Sequence, residues 1–371
     1  MGSASALGAR RLVLLGVIVG LTVGAGIAHY AGAPALLAFA IAALALAGLA
    51  WVVSFATEQV GERFGPAVTG VLQSTLGNLP EFFVVLFALS EGEVVVAQFS
   101  ILGSIFANAL LVLGAVVVVG ARVAPDGVMR FQARLPNDTA TLLLLTSFII
   151  VLVGLSASTH DRASDDIGTI SAIASVFLLS VYAFWVWGYV RSPHERDPAA
   201  AAAAEQREPA ARAAASHSAG LTLRLAIVLL ALAGTGAAFV SDWFVAALRP
   251  SIDKIGISEE FAGLVIVAIA GNAVENVAGL VLAAKRQSDL AISVVKNSVA
   301  QIAAFLFPAL VLVSLLFAQH LTFDIPPLYV GALLLTAISV WQVTTDGRAT
   351  AFEGWALIAT YAVLATFTLY E

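Results

Sequence analysis

Apolar stretches recur along the chain near 12–31, 34–56, 65–90, 93–121, 139–157 and 168–190, and again near 221–248, 258–284, 287–318, 326–343 and 351–370. Each is about long enough to cross a ~30 Å hydrocarbon core as a helix of roughly 20 residues. Between the two series lie residues 191–220, which read RSPHERDP, then a run of alanines, then EQREPAARAAASHS. This segment is too charged to span, and its early prolines stop the preceding helix. The pattern predicts an all-α membrane protein of eleven transmembrane helices. Its parts are a tail and first helix (1–33), a set of five helices (34–190), a cytoplasmic connector (191–220) and a second set of five (221–371).

Arg10 and Arg11 before the first apolar run superficially resemble a signal peptide. The run lacks a convincing cleavage site and leads into further spans, so it reads as an anchor helix that stays. Basic residues near span ends tend to remain cytoplasmic. With the N-terminus inside, 14 Lys and Arg fall on the cytoplasmic side, against Arg162, Arg249 and Lys254 outside, and Lys296 alone lies within a span. The expected orientation is therefore N-terminus in and C-terminus out, in a membrane of the prokaryotic cytoplasmic type.

Composition narrows the chemistry. Hydrophobic residues make up 60% and charged residues 11%, against roughly 45–50% and 25% in a soluble domain. No basic run accompanies the net charge of −6, so nucleic acid is not an expected partner, whereas a lipid bilayer is, and the sequence leaves room for a homo-oligomer. Cysteine is absent, which removes disulfides, thiolate catalysis and Cys-ligated metals. Any metal must be held by oxygen or histidine. His29, His160, His194, His217 and His320 all fall at span ends or in loops. No nucleophile and base stand together, so neither an enzyme nor a resident cofactor is expected.

Candidate chemistry lies in an internal repeat. Gly77-Asn78-Leu79-Pro80-Glu81 in the third span and Gly271-Asn272-Ala273-Val274-Glu275 in the eighth are two G-N-x-x-E motifs 194 residues apart. The same offset carries spans two to six onto spans seven to eleven. Because five is odd, the second set must cross the membrane upside down. Inverted repeats with a midplane site mark secondary transporters, and ionisable residues inside a membrane are functional by default. On a helix Asn78 and Gly77 share a face with Glu81. Gly77 and Gly271 allow close backbone approach. Pro80 removes an N–H and frees a carbonyl near Leu76; the second copy lacks that proline, so its kink is expected to rest on Gly271. Span four adds Ser104 and Asn108, beside Gly103, and span nine adds Ser298 and Gln301, beside Asn297, as secondary polar or gating groups. Gly103 and Asn297 each lie 26 residues after their motif glycine.

These residues resemble the cation/proton exchanger family of the Ca²⁺/cation antiporter superfamily. The first repeat reads ATEQVGERFGPAVTGVLQSTLGNLPEFFVVLFALSEGE and SILGSIFANALLVLG, and the second ISEEFAGLVIVAIAGNAVENVAGLVLAAKRQSDLAISVVKNSVAQIAAFLFP. The resemblance implies a ten-helix inverted-repeat core and cation binding by Glu81 and Glu275, assisted by Asn78, Asn272 and nearby carbonyls. The chain departs from the family pattern at Pro80 (commonly threonine), Asn276 (histidine), Asn297 (glycine) and Lys296 (leucine), and its connector is not strongly acidic.

A hard divalent cation such as Ca²⁺ takes 6–8 oxygens in irregular geometry. Once it leaves, two neighbouring carboxylates in a low dielectric repel one another and lack solvation, so they take protons. Metal and protons then exclude each other, which couples Ca²⁺, or a related cation, to H⁺. Two alternatives are a Na⁺-coupled exchanger of the same superfamily and, from another class, a retinal-type protein using Lys296 as a Schiff base. Lys296 lies about 12 Å along its helix at 1.5 Å per residue. Either its side chain reaches back to the cytoplasmic interface, or its ammonium sits near a site carboxylate, opposes divalent binding and modifies selectivity.

Overall fold

The computed structural model describes residues 4–61, 76–132, 134–191 and 221–370. Its helices, in chain order, are α1 (Ala4–Tyr30), α2 (Ala35–Gly61), α3 (Leu79–Ser90), α4 (Val94–Val123), α5 (Arg134–Thr159), α6 (Ile167–Arg191), α7 (Leu223–Ile255), α8 (Glu259–Gly271), α9 (Ala273–Ala284), α10 (Ser288–Ser314), α11 (Pro327–Thr344) and α12 (Ala351–Leu369). Nine helices among the described residues are long and apolar enough to cross a membrane, or ten if the bent pair α8 and α9 is one span. Of the expected third span, only the short α3 and the residues just before it are described. Residues 62–75, and the connector from 192 to 220, lie outside the described residues.

Burial separates inner from outer helices. The apolar windows of α4 and α10 are 89% and 72% buried, whereas those of α1, α6 and α7 are 22% buried. Helices apolar on all sides go to the centre, and the outer ones turn side chains such as Phe184 and Leu232 outward, where lipid solvates them. α2 and α7 form an extensive crossing pair, with α1 laid against both. Trp243 of α7 stacks on His29 of α1 at 6.1 Å.

Glycine decides how closely the centre packs. A Cβ on Gly103 would lie 2.2 Å from the Leu264 carbonyl oxygen and 2.4 Å from its Cα, and one on Gly263 would lie 2.9 Å from Phe99 Cβ. α4 and α8 therefore touch backbone to backbone, the small-residue contact that lipid-embedded helices use in place of a hydrophobic driving force. The contact region also carries wider helical turns that the sequence pattern does not announce. π-helical turns run over Ala107–Val112 in α4, Ala262–Val267 in α8 and Ile302–Leu306 in α10.

One element departs from the all-helical expectation. The loops after α4 and before α12 pair as a short antiparallel ribbon, β1 (Val128–Arg130) with β2 (Arg348–Thr350), in the register Val128↔Thr350, Met129↔Ala349 and Arg130↔Arg348. The two loops share one end of the bundle, so their backbone groups satisfy each other. Met129 turns inward and its sulfur occupies the space beside Gly120. At the ribbon's exposed edge, a hydrogen bond from Arg130 holds the Asp126 carboxyl down at about 2.

Gly103→Ala should lower the melting midpoint in detergent by the equivalent of about 1–3 kcal/mol, the usual cost of overpacking. Gly331→Ala, where nothing lies within 4 Å of an added Cβ, should melt like the parent. Equal melting of the two variants would contradict the backbone contact between α4 and α8.

Candidate functional site

Both G-N-x-x-E copies lie at helix interruptions, and in both the interruption falls on the asparagine. Asn78 has φ −85° and ψ 8°, and Asn272 has φ −103° and ψ 15°. These values lie in the sparsely populated bridge region, where active-site residues often sit. A new helix begins at the next residue in each case, α3 at Leu79 and α9 at Ala273, and the second break bends the path by 57°. The expectation that Pro80 makes the first kink and Gly271 the second is thereby refined. Pro80 occupies the second position of α3, where a missing N–H leaves no helical bond unmade, and the two asparagines have nearly the same backbone with and without proline. Gly271 is the last residue of α8, one before the break.

The Ala268 carbonyl keeps its helical partner at the break, accepting from the Asn272 N–H at 3.2 Å, and the asparagine side chain brings a second donor to it. The Asn272 amide nitrogen Nδ2 donates to the Ala268 carbonyl at 3.0 Å and to Ser104 Oγ of α4 at 2.8 Å. With both hydrogens engaged, its carbonyl oxygen Oδ1 is turned the other way. Ser104 is itself bracketed, since Asn108 Nδ2 donates to its backbone oxygen at 2.9 Å. Asn108, Ser104 and Asn272 thus form one chain across α4 and the second break. On the other side, Ser241 Oγ of α7 lies 3.5 Å from the Pro80 carbonyl oxygen, to which it donates.

The glutamates occupy equivalent places. Glu81 is the third residue of α3 and Glu275 the third of α9, where the positive end of the helix dipole favours an anion. Glu81 is 3% exposed, Asn78 7% and Asn272 1%. An added Cβ on Gly271 would lie 3.8 Å from Glu81 Cβ, so the glutamate of the first motif stands against the glycine of the second. The side chain of Glu275 lies outside the described residues.

The secondary residues are all buried but do not all join the chain of contacts. Ser104 and Asn108 belong to it, whereas Ser298 and Gln301 lie on α10, 5% and 4% exposed. Lys296 does not take the course back to the cytoplasmic interface. It is 3% exposed, so it does not reach water, and its Nζ donates to Thr344 Oγ1 at 2.7 Å, at the last residue of α11. Thr344 passes the bond on to the Val340 carbonyl at 2.7 Å. Ser241, a hydroxyl inside the apolar helix α7, is the contact of the first motif that the sequence did not mark out. Among the described residues no three His, Cys, Asp or Glu side chains gather as a metal cluster.

The sodium/calcium exchanger protein family model matches residues 34–190 and 225–370. A Ca(2+)/H(+) antiporter of Synechocystis is 30% identical over 346 residues, covering 91% of this chain and 92% of that one. A vacuolar calcium ion transporter of Schizosaccharomyces pombe is 31% identical, covering 90% of this chain and 79% of its own length. The solved structure of native YfkE superposes with a TM-score of 0.77 at 25% identity, over 97% of this chain and 99% of that chain. These matches bear out the resemblance read from the two motifs, and they extend it over nearly the whole length: the chain belongs to the sodium/calcium exchanger protein family.

Proposed function

We propose that this chain is a proton-coupled cation antiporter that exchanges Ca²⁺, or a related cation, for H⁺ by alternating access at a site built on Glu81 and Glu275. The observation that carries the reading is the meeting of the two motifs, with Glu81 packed against Gly271 at paired helix interruptions. Relatives named as Ca(2+)/H(+) antiporters, among them one from Bacillus subtilis matching 95% of this chain, support the same exchange.

In this reading eleven helices are arranged as one plus five plus five, with the halves inverted, the N-terminus cytoplasmic and the C-terminus outside. Asn78 and Asn272 supply amide oxygens, and carbonyls near the interruptions complete the oxygen shell that a hard cation requires. A metal ion and protons compete for the same two carboxylates. Opening the site to one side at a time, with either load, converts that competition into exchange. A pH gradient that is more acidic outside then expels the cation. Ca²⁺ uptake into inverted vesicles should follow ΔpH; uptake that follows a Na⁺ gradient instead would favour the Na⁺-coupled alternative.

Glu81→Gln and Glu275→Gln should each reduce exchange to background while inserting and melting normally, because an amide imitates the protonated carboxyl but releases no proton. Wild-type proton-coupled flux in either variant would overturn the two-glutamate site. Asn78→Ala and Asn272→Ala should weaken apparent cation affinity about tenfold, matching the ~1.5 kcal/mol of one contact to a charged group. If both bind Ca²⁺ normally but melt earlier in metal-free detergent, the asparagines serve packing alone. Lys296→Leu should strengthen apparent Ca²⁺ affinity several-fold by removing a buried positive charge from the second repeat. An unchanged affinity would restrict Lys296 to holding α10 against α11.

A further inference from the structure

The end of the bundle that carries the ribbon holds several guanidinium groups, and the carboxylates beside them are already committed. Asp126 takes both Nη atoms of Arg130 in a fork, at 2.6 and 3.0 Å. Asp289 accepts from the Gln132 N–H at 2.8 Å, Asp346 from the Arg348 N–H at 3.0 Å, and Glu353 from the N–H and hydroxyl of Thr350 at 2.7 and 2.8 Å. These last three acids each hold a piece of backbone in place. Among the described residues no carboxylate pairs with Arg286 or Arg348.

The fold sets these two arginines on either side of Arg130. In the ribbon register Arg130 stands directly opposite Arg348, so both side chains leave the same face, and like charges so placed are destabilising. Asp126 compensates Arg130 alone. Arg130 and Arg286 in turn line one cavity of about 200 Å³, together with Asp126 and Ser288 and with apolar walls from Pro125 and Val128. Two uncompensated guanidiniums therefore flank one that is already paired, and an anion is the ligand that would relieve them. The planar guanidinium fork matches the oxygens of a phosphate.

The surroundings indicate where that phosphate comes from. β2, which carries Arg348, runs directly into α12, whose Phe352 and Trp355 are three apart on one helix face and are 80% and 51% exposed. Arg122 at the end of α4 lies over the Trp355 ring, 5.9 Å from its centroid. Exposed tryptophan beside arginine marks the level of lipid headgroups. A freely dissolved anion gains nothing from this aromatic face, whereas a phospholipid can meet the arginines with its headgroup and the rings with its chains. We propose that Arg286 and Arg348, on either side of Arg130, hold the phosphate of an anionic phospholipid headgroup, with its acyl chains laid along α12 past Phe352 and Trp355. Such a lipid joins the α9–α10 turn to the ribbon, two parts of the chain that the exchange site does not use.

The inference goes beyond the exchange chemistry, and its test reads binding rather than flux, so the two can fail separately. Purified full-length protein in detergent is melted with dioleoylphosphatidylglycerol or with dioleoylphosphatidylcholine, which differ in headgroup charge and not in chains, and bound lipid is counted by native mass spectrometry. Phosphatidylglycerol should bind more tightly and raise the melting midpoint further, by linkage; inorganic phosphate at the same concentration should do neither. Arg286→Gln and Arg348→Gln should each weaken phosphatidylglycerol binding about fivefold, the order expected for one arginine at a charged membrane surface. The double variant, compared with itself in the two lipids, should show no preference. Lys254→Gln, which removes a positive charge at the opposite end of the bundle, should keep the parent's preference and gives the measure of non-specific attraction. Equal binding of the two lipids by the parent, a preference that survives in the double variant, an equal loss in Lys254→Gln, or stabilisation by inorganic phosphate alone would each overturn the lipid site.

Discussion

Interrupting a helix inside a bilayer exposes backbone N–H and C=O groups where no water can satisfy them, and each unmet group costs several kcal/mol. The organisation of this protein follows from making two such interruptions, at Asn78 and Asn272, tolerable. At the second break the Ala268 carbonyl still accepts from the Asn272 N–H, and the Asn272 side chain adds a second bond to it and another to Ser104 of α4. The rest is met by excluding lipid. α4, the most deeply buried of the spanning helices, lies against the break, and Gly103 and Gly263 remove the side chains that would hold α4 and α8 apart. An interruption alone would be a defect; enclosed in this way it presents oxygen atoms and two helix N-termini to a buried space.

The same enclosure explains where the glutamates sit. A carboxylate at the third position of a new helix gains from the helix dipole, and Glu81 and Glu275 both hold that position. The π-helical turns in α4, α8 and α10 belong to the same region. Such turns cluster at functional sites because the extra residue re-aims side chains and carbonyls that a regular helix would bury in its own ladder.

Polar groups outside the motifs divide according to whether the packing has satisfied them. Lys296 donates to Thr344, which donates on to the Val340 carbonyl, so the side chain ties α10 to α11. Asn276 and Asn297 leave their carbonyl oxygens without donors. The difference is one of geometry: a long flexible ammonium finds a hydroxyl about one helix away, whereas a short amide can use only what stands directly before it.

Much of this was legible in the sequence. Continuous apolar runs separated by charged loops have one stable outcome in lipid, so the existence of most spanning helices followed from hydropathy alone. A 194-residue repeat of G-N-x-x-E marked Glu81, Glu275, Asn78 and Asn272, because ionisable groups in apolar helices are too costly to occur without a use. The sequence could not place the break at Asn272 rather than at the glycine before it, because that choice depends on Ser104 and Ala268 standing within reach of one amide. Nor could it show that Lys296 would meet Thr344, that Met129 would pair with Ala349 across two distant loops, or that Glu81 would stand against Gly271. Those outcomes join residues up to 220 positions apart in the chain. Hydropathy is a property of each segment, whereas these partners exist only once the segments have packed, which is why the tertiary structure alone decided them.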